Sequence, residues 1–419
     1  MPIESCSSLV RWAMATCLAI GVFGAGAPAR ADESLDRLLA QALTDNPEIA
    51  AARQRWEAAK AQEPQARALD DPVVSVSEWD IPSNWNLSET GQTWYGIEQA
   101  VPFPGKRGLR GAVARLDAEA GEQDYLAVSR RVRAQVKMAY ARLYRVQQQI
   151  IVRREHQALL SELIQSALQR YAVGAATQQE SLKAQVEHST LHASLLALEQ
   201  EQQSLRIALN AFTGHPDDPL FLGTAQIDYR PLEVAVDALE AQALERRPEL
   251  RSAGRMVARQ EESVALARRG WWPDFMAEVS YGDVHDGPNR WMLTGKMTLP
   301  WVAAGKYRAK ITEETAGRAR AAAEVDAVRN ETVSLVRDAF LRLTTAQSLI
   351  DLYRGGILAQ AEQGLESARI AYTTGRADFL NLIDAERQLR DVRLAADVAI
   401  AEWAEQRAEL ERVAGIDLP

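Results

Sequence analysis

Two cysteines in 419 residues, Cys6 and Cys17, both fall within the first 31 positions, so the rest of the chain can hold neither a disulfide nor a thiolate metal site. Histidine is almost as scarce, and the one suggestive pair, His188 and His192, has i, i+4 helix spacing but carries Ser189 where a zinc protease needs a glutamate. As a metal pair it also lacks a third ligand in sequence, and two exposed histidines on a polar helix face are the plainer alternative. Phosphate loops are missing too: the lysines after Gly105, Gly295 and Gly305 have neither the upstream glycine nor the following Ser/Thr, and no G-x-S-x-G is present. With aromatics at 6% and a pI of about 5.3, a basic nucleic-acid surface is excluded. These absences leave no catalytic constellation, so neither an enzyme nor a cofactor is expected.

Long apolar runs are absent after the N-terminus. Met1 to Ala31 reads as a secretory leader, with Arg11 ahead of an apolar stretch from Trp12 to Ala27 and Ala29-Arg30-Ala31 as cleavage site. Thr16 before Cys17 departs from a lipobox. Losing Glu4, Arg11 and Arg30 takes the net charge from −9 to −10, an acidic exported protein. Beyond the leader nothing approaches the roughly 18 apolar residues of a spanning helix, so any membrane insertion must use strands.

Glycine and proline are missing from Glu122 through Val173. Val128, Val132, Val136, Ala139, Leu143, Val146 and Ile150 recur there at three- and four-residue steps between arginines, the pattern of an amphipathic rod. At about 1.5 Å per residue this stretch alone exceeds twice the hydrocarbon thickness of a bilayer, and it is too polar to cross one.

The rod is written twice. Asn46-Pro47-Glu48 recurs as Arg247-Pro248-Glu249, Pro72 as Pro273, Tyr171-x-x-Gly174 as Tyr372-x-x-Gly375 and Leu209 to Gly214 as Leu410 to Gly415, each 201 positions on, with Gly105-Lys106 and Gly305-Lys306 at 200. The slip of one residue is expected in the strand hairpin. A leader (1–31) would thus precede two copies, 32–223 and 224–419. Each holds short helices, a strand hairpin (73–102 or 274–300) and a long helical hairpin (105–213 or 305–414) turned at Gly174 or Gly375. Gly355-Gly356 is expected to bend the second rod. Seven of ten tryptophans crowd the strand windows, and Trp79, Trp94, Trp272, Trp291 and Trp301 suit an interfacial aromatic girdle; a soluble sheet covered by helices is the alternative. Four strands cannot close a barrel, so strands that enter lipid require an oligomer.

Layout and motifs together resemble the TolC-like outer-membrane efflux proteins. The residues that carry this are Ala42-Leu43-x-x-Asn46-Pro47-Glu48, Gln65-Ala66-Arg67 ahead of Pro72, Pro102-Phe103-Pro104-Gly105-Lys106-Arg107 and the paired Tyr-x-x-Gly turns. Gln99-x-x-x-Phe103-Pro104-Gly105-Lys106-Arg107 is most similar to the heavy-metal (CzcC/CusC-type) branch that works with RND pumps. The resemblance implies a mainly α chain with a β membrane part. Three copies would form a 12-stranded outer-membrane β-barrel over a periplasmic α-helical tunnel, coupled through a periplasmic adaptor to an inner-membrane RND pump. It also implies a periplasmic gate ring at Asp384 and Asn381 and a latch between Glu180 and Tyr372. The tip-turn glycines Gly174 and Gly375 are expected at helix C′ positions with positive φ, and docking of an adaptor hairpin, to which small residues permit close approach, is the alternative reading. An ordinary solvated charge at Asp384 and simple packing of the tyrosines are the bland alternatives. In function, a multidrug or type I secretion duct and, from another class, a periplasmic coiled-coil adaptor compete; two hairpins with two strand pairs disfavour the adaptor.

Overall fold

The computed structural model describes residues 31–418 apart from 82, 84, 87–89, 175, 176, 218–220, 222 and 286. The leader, except for Ala31, lies outside the described residues. The first copy runs α1 (Ala31–Asp45), α2 (Pro47–Arg67), β1 (Val73–Trp79), β2 (Gln92–Val101), α3 (Lys106–Ala172) and α4 (Gln178–Phe212). The second runs α5 (Val236–Arg246), α6 (Pro248–Arg269), β3 (Phe275–Val284), β4 (Arg290–Met297), a 3₁₀ turn at Pro300–Ala303, α7 (Ala304–Leu352), α8 (Leu358–Thr373) and α9 (Phe379–Ala414).

Proline restarts both second helices at a position where its missing N–H costs nothing. In the first copy Asn46 completes the cap, its Oδ1 accepting from the N–H groups of Glu48 (2.9 Å) and Ile49 (3.2 Å). Arg247, its counterpart, makes no side-chain cap and reaches Thr332 Oγ1 at 2.7 Å. The 67 residues of α3 give a rod of about 100 Å.

The duplication extends to the packed faces. Val136, Ala139, Leu143 and Ile150 of α3 are buried, and so are Val336, Ala339, Leu343 and Ile350, each 200 positions on. Nearer the tip, Leu160 matches Ala361 at 201. One residue is therefore gained between Ile350 and Ala361, and a π turn at Tyr353–Ile357, which contains Gly355-Gly356, accommodates it. The expected bend is in fact this inserted turn. The strand hairpin accounts for the opposite slip: Val74 pairs with Ile97 and Phe275 with Met297, so β3 follows β1 by 201 positions while β4 follows β2 by 200. Gly105 has φ 93° and caps α3, whereas Gly305 lies inside α7, its role taken by the 3₁₀ turn.

Two equivalent cores result. Leu38, Ala42, Val136, Leu143 and Leu209 centre the first; Leu239, Ala243, Val336, Leu343 and Leu410 centre the second. The connector between copies is pinned to α3, with Gln147 Oε1 accepting from Ala225 N at 2.7 Å and Tyr140 Oη from Gln226 N at 3.2 Å.

The four strands form one antiparallel sheet in the order β1-β2-β3-β4. Among the described residues β2 and β3 have partners on both sides, and β1 and β4 are open edges. Cross-strand neighbours put Val74, Val76, Tyr95, Ile97, Val279 and Leu293 on one face, all apolar and all more than two-fifths exposed. The other face carries Ser75, Gly96, Glu98, Glu278, Ser280 and Lys296, with Lys296 Nζ 2.6 Å from Glu98 and 3.0 Å from Glu278. An apolar face turned to the surroundings and a polar face with its own ion pairs is the division a membrane-facing sheet needs. Among the described residues no helix is long and apolar enough to cross a membrane.

Candidate functional site

At the far end of the rods the two hairpins of the chain meet. Gly174 (φ 73°) and Gly375 (φ 71°) turn the chain in the left-handed region that a Cβ would strain, and among the described residues nothing lies within 4 Å of where that Cβ would be. Gly375 N donates to Tyr372 O and Arg376 N to Ala371 O, closing the end of α8. Leu160 and Ala167 of α3, Ala184 and Leu191 of α4, Tyr372 of α8, and Phe379, Leu382 and Ile383 of α9 then form one four-helix core behind the turns.

The next helix begins at Phe379, with Asp378 Oδ1 accepting from Asn381 N at 3.0 Å. Ala377 thus lies outside it. Because Leu382, Ile383, Glu386 and Leu389 face the core, Asn381, Asp384, Gln388 and Asp391 are left exposed as one stripe along α9. Asp384 and Asn381 therefore share an outward face, as the sequence suggested, and Asp391 extends it. A depression of about 500 Å³ runs along this stripe, lined by Tyr353, Asp384, Arg387, Gln388, Asp391, Val392 and Ala395. Asp384 is not free of cations: Arg387 Nη1 stands 3.4 Å away.

The latch expected between Glu180 and Tyr372 is not formed. Tyr372 packs edge-on against Phe379, with the Arg170 guanidinium 4.7 Å from its ring centroid, and its buried hydroxyl has no hydrogen-bond partner among the described residues. Glu180 stays in the first turn of α4, where Thr177 Oγ1 approaches it at 3.5 Å. Ring packing fixes the tyrosine in the apolar core, and the carboxylate remains with its own helix terminus.

A different contact joins the hairpins. Glu187 of α4 accepts from Arg387 Nη2 at 2.6 Å and from Arg390 Nη1 at 3.0 Å, both on α9. Burial opposes ionisation of Glu187, but the two arginines outweigh it and hold its carboxyl below the usual range. Sequence reasoning missed this trio because an ion pair between residues 200 positions apart leaves no periodic signal.

Higher up, His156 is buried with Nδ1 3.9 Å from Glu386 Oε2. Burial, and after it the Arg390 charge, pushes the imidazole down to about 4, so it is neutral at physiological pH. Burial likewise raises Glu386, and raises Asp397 to about 6 against the pull of Arg354 and Arg393. A carboxyl whose folded pKa is raised favours folding while protonated and loses that advantage as pH climbs through the folded value. Asp397→Asn should therefore stabilise the protein above about pH 6 and change little below about pH 4. The gain at pH 7 should be about 1–2 kcal/mol after discounting for solvent screening, read as a melting-temperature difference at the two pH values.

The tryptophans divide by position. Trp291 lies at the turn end of the apolar face, 5.2 Å from Tyr281, while Trp272 and Trp301 flank the helix end, Trp272 stacked on Phe103 at 4.9 Å. Trp94 does not belong with them: it sits on the polar face over Gly282, and its indole N–H reaches Gln92 Oε1 at 3.1 Å. Trp79 pairs with Gln92 on that same polar face. Sequence clustering gathers these residues without saying which side of the sheet each takes. His188 and His192 lie half-buried and exposed on α4, and among the described residues no three His, Cys, Asp or Glu side chains gather to hold a metal.

A sheet with one apolar exposed face, continuous with paired helical rods about 100 Å long, defines a membrane-anchored helical channel protein. The outer membrane efflux protein family matches the chain twice, over residues 38–215 and 239–416, the two matches again 201 positions apart. The chain belongs to the outer membrane efflux protein family. It is 23% identical over 386 residues to the cobalt-zinc-cadmium resistance protein CzcC of Cupriavidus metallidurans, covering 91% of this chain and 90% of that one. Its fold matches the outer membrane protein VceC of Vibrio cholerae (TM-score 0.77, 20% identity, 92% of this chain and 97% of that one). It matches CusC equally well (TM-score 0.77, 17% identity, 92% of each chain).

Proposed function

We propose that this chain is the passive exit duct of a three-component efflux system, carrying heavy-metal cations with an inner-membrane RND pump and a periplasmic adaptor. Similarity to a protein named for cobalt, zinc and cadmium resistance supports the choice of cargo. The observation that carries the duct itself is the open sheet: β1 and β4 are unpaired beside an apolar face, and lipid tolerates such edges only when another copy closes them. Three copies would supply twelve strands, with Trp291 at one membrane interface and Trp272 and Trp301 at the other. The rods would reach through the periplasm, and the open surfaces at Gly174 and Gly375 would let an adaptor approach closely. Purified protein should migrate as a heat-sensitive trimer and conduct ions in planar bilayers; a monomer with no conductance would refute the reading.

In this arrangement three copies of Asp384, flanked by Asn381, would ring the periplasmic mouth. Like charges gathered there attract cations. Asp384→Ala should raise the half-blocking concentration of a trivalent cation by about tenfold or more, since three charges leave one constriction. An unchanged blocking concentration would remove Asp384 from the gate.

A further inference from the structure

We propose that Arg107, Arg110, Arg268, Arg269, Lys306 and Arg308 form a collar, at the level where sheet becomes rod, that binds the phosphates of anionic phospholipids in the membrane leaflet nearest the rods. The proposal rests on the duct reading, which sets the sheet in lipid. Arg107 and Arg110 open α3, Lys306 and Arg308 open α7, and Arg268-Arg269 close α6 between them. Arg268, Arg269, Lys306 and Arg308 are exposed, and the other two are half-buried. The first turn of neither long helix holds an acidic residue, although the positive end of a helix dipole favours carboxylates and repels cations. In a chain of net charge −9, the same local rule is broken at both helix starts, which points to an anionic partner that relieves the repulsion. Among the described residues none of the six pairs with a carboxylate. Arg107 donates to the Arg67 carbonyl at 2.7 Å, Arg269 to the Pro104 carbonyl at 2.9 Å, and Lys306 stands 5.8 Å from the Tyr307 ring. Carboxylates on the same elements are taken by other cations: Glu63 by Arg67, Asp274 by Lys106 and Glu314 by Lys310, each at 2.8 Å.

What the collar adjoins identifies the partner. Trp272, Trp301 and Val302 lie beside it in the chain and are 54%, 52% and 78% exposed. Lys306 follows Val302 by four residues, Arg107 follows Phe103 by four, and Arg268 precedes Trp272, the ring stacked on Phe103, by four. An exposed apolar anchor about one turn from a cation is the arrangement of a membrane interface, the anchor at the acyl boundary and the charge among headgroups. A free anion would engage the cations and leave the anchors bare. Lipid satisfies both, and the collar continues directly from the apolar face of the sheet. Positive charge then selects anionic over zwitterionic headgroups. Three copies would repeat the collar around the whole barrel.

Quenching of tryptophan fluorescence by brominated lipid tests this on purified full-length trimers, reconstituted in phosphatidylcholine vesicles that contain either dibromo-phosphatidylglycerol or dibromo-phosphatidylcholine. Wild-type protein should bind the phosphatidylglycerol about fivefold more tightly or better, the effect of one cation near an anionic lipid surface, and high salt should remove most of that preference. Arg107→Gln, Arg268→Gln, Arg269→Gln and Lys306→Gln combined should abolish it. Lysine at the three arginine positions should retain it, because a lipid phosphate is held by charge. Should the quadruple variant not assemble, Arg268→Gln with Lys306→Gln, whose native side chains make no hydrogen bond among the described residues, should at least halve the preference. Arg369→Gln, on α8, should leave it unchanged. Excess inorganic phosphate should not displace the lipid; displacement would make the collar a site for free phosphate and overturn the proposal. Equal quenching by the two lipids in conducting wild-type trimers, or a preference that survives the variants, overturns the collar and leaves the duct standing. Wild-type protein that makes no conducting trimer overturns the duct reading itself.

Discussion

Cysteines placed at Ser77 and Thr298, with Cys6 and Cys17 replaced by serine, should link copies of the chain into covalent trimers under mild oxidation. The pairing follows from repeat equivalence. Glu98 of β2 faces Glu278 of β3 within the chain. Shifting β2 by the 200 positions that separate it from β4, and β3 back by the 201 that separate it from β1, turns that pair into Thr298 and Ser77. The same shift sets Leu299 against Val76, so apolar meets apolar there on the outer face; a slip of one would invert the pairing. Thr298 N donates to Asp274 O, so its backbone is engaged on the β3 side and the new pair would be the non-hydrogen-bonded kind. Such Cα atoms lie about 4.5 Å apart, inside the disulfide range of about 4.4–6.8 Å. Non-reducing gels should show trimers for the double variant and only monomers for either single variant. Monomers in all three would mean that β4 and β1 do not meet in this register.

Much of the fold was legible because the duplication repeats a packing pattern and not only a motif: the residues that face the core in α3 face it again in α7. The turn glycines were legible for a related reason, since positive φ at the ends of α3 and α8 demands them. The π turn was readable only as two glycines, yet the count shows it: 66 residues separate Gly105 from Tyr171 and 67 separate Gly305 from Tyr372. Facing of the tryptophans could not be read from clustering, although strand alternation already set Trp94 beside Gly96 and Glu98. At the tip, resemblance suggested Tyr372 with Glu180, and side-chain packing decided otherwise. Ring contacts with Phe379 fix Tyr372 in the apolar core, while Glu187 gains two donors that no local pattern announces.

Asp274→Ala should cost about 3 kcal/mol, because it strands a buried cation. Lys106 follows the capping Gly105 and its side chain is only 7% exposed, with Nζ 2.8 Å from Asp274 Oδ1 and 2.8 Å from Trp272 O. The same carboxylate oxygen accepts from Phe103 N at 2.8 Å. One aspartate of the second copy therefore ties down the strand exit and first helical turn of the first copy, at the level where sheet becomes rod. Removing it leaves the ammonium with a single carbonyl and frees a backbone N–H beside the stacked rings of Phe103 and Trp272. Asp274→Asn keeps an acceptor for both donors and should lose only about 1 kcal/mol. Lys106→Met in the Asp274→Ala background should recover most of the loss, since an apolar side chain of similar length needs no counter-charge. The temperature at which trimers dissociate on gels measures all three. Equal dissociation temperatures for Asp274→Ala and wild type would show that the junction is held by its ring stacking and backbone alone.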